Sequence, residues 1–210
     1  MPESPEFNGM NQSEKEATRA AYDALAEQKK KEFEQNFHIL VEPLARLFLS
    51  EVRGKCIVDL GSGPGVHADY FHHHGLDVTC VDYSEKMLMY CKAKGLKVRQ
   101  VDIEEFTMPD RTMDGVWAFA SISHLRKVSI STILDAIYRM LKPGGILGLG
   151  LFEGHGEGWW ETSPELKRWF SYFSDEEIRK FLGDRFEVVH FRRSAPEGFS
   201  VMLFYVLRKR

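Results

Sequence analysis

Short apolar runs rich in Val and Ile recur along the chain at residues 55–60, 77–81, 97–101, 114–120 and 146–151. Between them lie stretches of helical period, clearest at 65–74, 84–94 and 128–141. Strand runs that are apolar on both faces and alternate with helices predict βαβ crossovers and a parallel sheet covered on both sides. The two ends of the chain differ from this middle. Residues 13–35 are rich in Ala, Glu and Lys and contain no Gly or Pro, which predicts a helix. Its apolar stripe is sparse (Tyr22, Leu25, Ala26, Phe33), so the helix is expected to lie on the domain rather than inside it. A second helical stretch runs to about residue 51, with Pro43 limiting its regularity. Towards the C-terminus, Ser174 and Glu177 form a capping box that opens a helix ending near Leu182. Strands at 186–191 and 200–207 follow with only a short loop between them, holding Pro196 and Gly198, so this pair must be antiparallel. The expected organisation is a disordered lead-in over residues 1–12, a helical lid over 13–51 and an α/β domain over 52–210.

Composition narrows the partners. The 210 residues are 43% hydrophobic and 28% charged, ordinary globular values for one domain with a full core. A net charge of −3 provides no global positive field to hold a polyanion, so nucleic acid is not the expected partner. No apolar run approaches the roughly 20 residues that span a bilayer. The acidic N-terminus, Met1-Pro2-Glu3-Ser4-Pro5-Glu6, lacks the layout of a secretory signal. Cys56, Cys80 and Cys91 are odd in number and form no C-x-x-C pair, which fits a reduced, cytoplasmic protein; a monomer or homodimer is expected.

The segment Val58-Asp59-Leu60-Gly61-Ser62-Gly63-Pro64-Gly65 ends the first strand and opens the first helix of the sheet. Glycines at such a turn permit positive φ and close approach of a ligand to the backbone. The spacing is G-x-G-x-G, with Val66 where a dinucleotide fingerprint places its third glycine. The loop therefore suits a group smaller than a pyrophosphate, or is simply a tight turn. Asp82 closes the second strand 23 residues after Asp59, near the distance of about 20 residues at which an acid reaches a ribose in such folds. Capping of the following helix, with Ser84 as N-cap, is the competing role for that carboxylate. The third strand ends at Val101-Asp102, so three acids gather at one sheet edge.

Taken together, these residues resemble the class I S-adenosylmethionine-dependent methyltransferases. The resemblance rests on the D-x-G-x-G-x-G loop from Asp59 to Gly65, on Asp82, on Val101-Asp102, on Met113-Asp114-Gly115-Val116-Trp117 and on Leu141-Lys142-Pro143-Gly144-Gly145. It covers about residues 15–207 and is closest to small bacterial enzymes with a helical N-terminal lid. It implies a Rossmann-like, doubly wound, mostly parallel seven-stranded sheet with an antiparallel C-terminal strand. It also implies S-adenosylmethionine as cofactor, with no metal, and methyl transfer to an O, N or C atom of a small molecule. Carried over, Gly61, Ser62 and Gly63 lie against the methionine portion while Asp59 orders the loop. Asp82 takes the ribose hydroxyls, Tyr83 and Met87 flank the adenine, and Asp102 and the Ile103 backbone read its edge. Ala118, Ala120 and Ser121 approach the methionine end. The segment Ala118-Phe119-Ala120-Ser121-Ile122-Ser123-His124 lacks the N-P-P-Y type sequence with which adenine-N6 and glutamine methyltransferases hold a planar nitrogen. A small molecule is the expected acceptor.

His124, just past the fourth strand, is the candidate general base, with His155 second. Tyr22 and Trp117 are candidates to sit near a sulfonium. The glycine-rich segment 153–160, with its paired tryptophans, reads as a mobile loop walling the substrate, and Arg168, Trp169 and Tyr172 continue that wall. His72-His73-His74 points three ways on a helix and is not expected to bind metal. Two alternatives stand beside this reading: a binding module that keeps the cofactor pocket without turnover, and an NAD-dependent oxidoreductase, against which Val66 counts.

Overall fold

In the computed structural model, which describes residues 9–210, a single mixed sheet has the strand order β3-β2-β1-β4-β5-β9-β8. Its strands are β1 (Cys56–Leu60), β2 (Asp77–Asp82), β3 (Lys97–Gln100), β4 (Met113–Phe119), β5 (Leu141–Phe152), β8 (Phe186–Ser194) and β9 (Met202–Lys209). β1 to β5 are mutually parallel, and β9 runs antiparallel to both β5 and β8. The parallel strands closed by an antiparallel pair match the periodicity, and the seven-stranded sheet with its antiparallel C-terminal strand matches what the resemblance implies. β5 begins five residues before the predicted start at Ile146, because Leu141 pairs with Met113 across a bulge before Gly115 and Ile146 resume the register.

Each face of the sheet is closed by helices. α6 (Ile130–Met140) turns Ile130, Ile133, Leu134, Ile137 and Met140 inwards at helical spacing, and all are buried against Val116, Leu147 and Leu149. Burying such side chains stabilises the fold by roughly 1.5–3 kcal/mol each. α7 (Asp175–Leu182) covers the same face, and Ser174 accepts from Glu177 N at its start. On the opposite face α3 (Glu42–Glu51), α4 (Val66–His73) and α5 (Glu85–Ala93) enclose Phe48, Phe71, Leu88 and Phe204. Trp117 belongs to this aromatic cluster and is fully buried, its Nε1–H donating to His67 Nδ1 at 3.1 Å.

Two segments depart from expectation. The N-terminal helix is broken at Leu25 into α1 (Gln12–Ala24) and α2 (Ala26–Asn36), and a π-helical turn at Phe37–Val41 leads into α3, whose first turn Pro43 occupies. Of the lead-in expected over residues 1–12, residues 1–8 lie outside the described part. Met10 is buried and Asn11 caps α1, accepting from Glu14 N at 3.0 Å. The second departure is the segment read as a mobile loop. It forms an antiparallel hairpin of β6 (Glu157–Ser163) and β7 (Leu166–Ser171), turning at Pro164-Glu165, with Trp159 opposite Trp169. Among the described residues no helix is long and apolar enough to cross a membrane.

Candidate active site

Strand order reverses between β1 and β4, whose neighbours run away on either side. Crevices at such reversals, outside the carboxyl ends of the strands, are where open α/β sheets bind ligands. A cavity of about 480 Å³ lies there, within the range of small-molecule sites. Its floor is made by strand ends and its roof by α1, α2 and β7.

The floor begins with the loop after β1. Gly61 N and Ser62 N both donate to Val81 O, at 2.8 and 2.9 Å, which ties the loop to the end of β2. Gly61 has φ +73°, and a Cβ there would lie 2.3 Å from the Ser121 Cβ, so no side chain fits. Gly63, at φ +52°, faces the cavity, where an added Cβ would meet only the Phe33 ring. Asp82 clamps this loop to α5: Oδ2 accepts from Gly63 N and Oδ1 from Ser84 N, both at 2.8 Å. Burial pushes the Asp82 carboxyl up to about 6, although these amides favour its charged form. Asp59 lies behind the loop rather than in the cavity, 1% exposed, with Oδ2 lacking a partner among the described residues. Burial, reinforced by the neighbouring Asp82, pushes it up to about 8.

Tyr83 and Met87 line the cavity beyond Asp82, and Asp102 and Ile103 complete that side. Asp102 is engaged within the chain. Oδ1 accepts from Glu104 N at 2.8 Å, and Oδ2 pairs with Lys15 of α1 at 2.8 Å. Lys15 also reaches Glu104 at 2.7 Å, and the two carboxylates hold its ammonium well above the usual lysine range against the opposing effect of burial. At the end of β4, Ala120 adopts φ +58°, a conformation that costs a residue with a Cβ about 1–3 kcal/mol. Ala120 N donates to Gly150 O at 2.9 Å, which holds the turn and brings Ser121 and His124 to the cavity wall. Among the described residues the buried Ser121 Oγ has no hydrogen-bond partner. Ala118 does not reach the cavity; its side chain is in the core beneath.

The roof meets the floor through His124. Its Nδ1 lies 2.8 Å from Trp169 O and its Nε2 2.7 Å from Tyr22 OH. A carbonyl only accepts, so Nδ1 carries the proton, Nε2 is bare and Tyr22 donates to it; this tautomer follows from the partners. Burial pushes His124 down to about 4 and Tyr22 above the usual phenol range, so both are neutral near pH 7. Further ties close the roof: Trp169 N donates to Thr18 Oγ1 at 3.2 Å, Tyr83 OH to Glu16 at 2.6 Å and Ser84 Oγ to Asp23 at 2.5 Å.

Tyr22 and His124, 102 positions apart, thus form one hydrogen-bonded pair. Trp117 and His155 are not part of the cavity: Trp117 packs under the sheet and His155 is exposed in the turn before β6. Among the described residues no group of three or more His, Cys, Asp or Glu side chains is placed to hold a metal ion. Several cavity residues carried no signal of that role in the sequence. Phe33 of α2 stands over Gly63, and His67, pushed down to about 4 by burial, lines the wall with Phe119. Phe152 and Phe170 line the far end. Phe170 could have been found only by recognising β7 as a strand.

The fold and this crevice define a doubly wound α/β protein with a ligand cleft at its switch point. Residues 58–149 match the methyltransferase domain family. The chain carries this match over 92 of its 210 residues, from β1 into β5. Over 129 residues it is 27% identical to the malonyl-[acyl-carrier protein] O-methyltransferase of Enterobacter lignolyticus, covering 60% of this chain and 48% of that one. The chain thus spans about half the length of that curated relative. The structure resembles Burkholderia thailandensis 1,6-didemethyltoxoflavin-N1-methyltransferase, solved with 1,6-didemethyltoxoflavin and S-adenosylhomocysteine. The TM-score is 0.75 at 20% identity, covering 93% of this chain and 88% of that one. The complex of DhpI with SAH superposes with a TM-score of 0.74 at 21% identity, covering 95% and 98%. At these identities the likeness shows the fold.

Proposed function

We propose that this protein is an S-adenosylmethionine-dependent methyltransferase whose acceptor is a small molecule. The observation that carries this reading is the convergence on one cavity of the Gly61–Gly63 backbone, the Asp82 carboxylate and the orphaned Ser121 hydroxyl. The residues present fit the cofactor: Gly63 leaves open the space a Cβ would fill, and each Asp82 oxygen keeps acceptor capacity beyond its amide bond. Asp82 would hold the ribose hydroxyls, Tyr83, Met87 and Ile103 the adenine, and Gly61, Ser62, Ala120 and Ser121 the methionine end. Asp102 contributes to the adenine side once Lys15 shares or releases its carboxylate.

When bound, S-adenosylmethionine supplies a methyl group already activated on a cationic sulfur. What the chain must add is position. Well-oriented reactants gain about 7–11 kcal/mol from orientation alone. The lid formed by α1, α2 and β7 supports that role by closing over the cavity and excluding water. His124 presents Nε2 as an acceptor through Tyr22, but a basicity near 4 makes it a weak base. We assign the pair mainly to positioning the acceptor.

Calorimetry with S-adenosylmethionine, S-adenosylhomocysteine and NAD tests the reading. Binding of both sulfur ligands without response to NAD is expected; the reverse pattern overturns it. Methyl consumption against metabolite pools then separates an enzyme from a binding module, which binds without turnover.

A further inference from the structure

Among the described residues, one cation of the cavity has no carboxylate partner. Arg168 of β7 lines the far end beside Tyr22 and Phe170 and is only 8% exposed. Its guanidinium carbon lies 5.3 Å from the centroid of each of those rings. Among the described residues its Nε is buried without a hydrogen-bond partner, Nη2 makes a long contact of 3.5 Å to Thr162 Oγ1, and the guanidinium otherwise meets only the neutral Tyr22 hydroxyl. Among the described residues no carboxylate lies in ion-pair range of Arg168. Glu32 faces the same cavity, but its carboxylate is taken by Lys29 at 2.5 Å. The other cavity cations are answered: Lys15 by Asp102 and Glu104, Arg19 by Glu16 and Asp23.

A buried guanidinium without a charged partner loses hydration that its neutral neighbours only partly replace, a cost that a bound anion offsets. Held against two rings, it offers a planar fork of N–H donors, the complement of a carboxylate. The surroundings are apolar: Phe33, Phe119, Phe152 and Phe170 share this cavity. We propose that Arg168 is the anchor of a carboxylate-binding subsite, and that the acceptor is a small, largely apolar molecule bearing a carboxylate. This rests on the methyltransferase reading only in calling the bound acid the acceptor. The subsite also gives Tyr22 a second function, since its ring holds Arg168 in place while its hydroxyl is tied to His124.

The test is equilibrium binding of two matched pairs, benzoate against benzamide and hexanoate against hexanamide, with the full chain, alone and saturated with S-adenosylhomocysteine. The expected result is a preference of at least about tenfold for one or both acids over the amide, the size of one charge-assisted hydrogen bond. Arg168→Gln is expected to abolish that preference and Arg168→Lys, which keeps the charge without the fork, to retain part of it. S-adenosylhomocysteine affinity measured on each variant checks that the fold and floor persist. Equal binding of acids and amides, or a preference that survives Arg168→Gln, overturns the subsite while leaving the cofactor reading intact. Failure to bind S-adenosylhomocysteine overturns the cofactor reading, and the measurement without it still decides the subsite.

Discussion

The floor and the roof of the cavity are built by different physics. The floor consists of consecutive strand ends whose spacing is dictated by the sheet, and its polar contacts are mostly to backbone: Gly61 and Ser62 to Val81 O, Asp82 to the Gly63 and Ser84 amides. The roof consists of α1, α2 and β7, held down by side chains from distant parts of the chain, Tyr22 on His124 and Arg126 on Glu14 among them. A floor of this kind tolerates little change and binds what every copy of the fold can bind. A roof made of side-chain contacts can be re-cut residue by residue, and it is where the proposed reading puts selectivity for the acceptor.

Breaking the floor should have the largest effects. Gly61→Val places a β-branched side chain at φ +73° with its Cβ 2.3 Å from that of Ser121. A loss of about 3 kcal/mol or more in stability is expected, with abolished S-adenosylhomocysteine binding, read by thermal melting and calorimetry. Next in size is Asp82→Asn, which should weaken S-adenosylhomocysteine by about tenfold or more. Its pH signature sharpens the case. The folded carboxyl sits near 6, above its ordinary 3.8, so the folded state holds the extra proton between these values. Its contribution to stability is therefore complete below about 3.8 and lost as pH rises through 6. Cofactor affinity in the unaltered protein should fall below pH 6, where the carboxylate protonates, and Asp82→Asn should flatten that profile.

The roof should answer differently. Tyr22→Phe and His124→Gln are expected to leave S-adenosylhomocysteine affinity within about threefold while lowering turnover about tenfold or more, the separation that a positioning role demands. Equal losses in both would merge roof and floor into one unit. The smallest effect is Thr18→Ala, which removes the 3.2 Å bond to Trp169 N and should cost about 1 kcal/mol. Hydrogen exchange at β7 would rise with little change in the sheet.

The same division governs what the sequence disclosed. Strand and helix periods, the glycine loop and the strand-end acids were legible because each is local, and the sheet brings Asp82 and Asp102, though not Asp59, to one cavity. Ala118 was placed one residue too generously, since alternation along β4 sends it into the core. The β6–β7 hairpin was missed because its glycines and exposed Trp160 look like loop, and because its inward face is recognised only once α1 lies across it. The break at Leu25 has no residue-type signature in a run of good helix formers, and the apolar Phe37–Val41 segment gives no sign in its residue types of π rather than α pairing. The Tyr22–His124 bond joins residues separated by most of the sheet, and no spacing rule reaches that far.

Three of the four tryptophans lie on the β6–β7 hairpin, and the fourth, Trp117, is sealed under the sheet. Trp169 is 7% exposed, with the Arg126 guanidinium 4.6 Å above its ring and Trp159 edge-on at 5.4 Å. Displacement of α1 from β7 would wet this indole and release Arg126 from Glu14, and water around an indole shifts its emission to the red. Trp169 is therefore placed to report by its own fluorescence whether α1 moves when a ligand binds. Stopped-flow fluorescence without any attached dye can time the opening of the cleft against the arrival of each ligand.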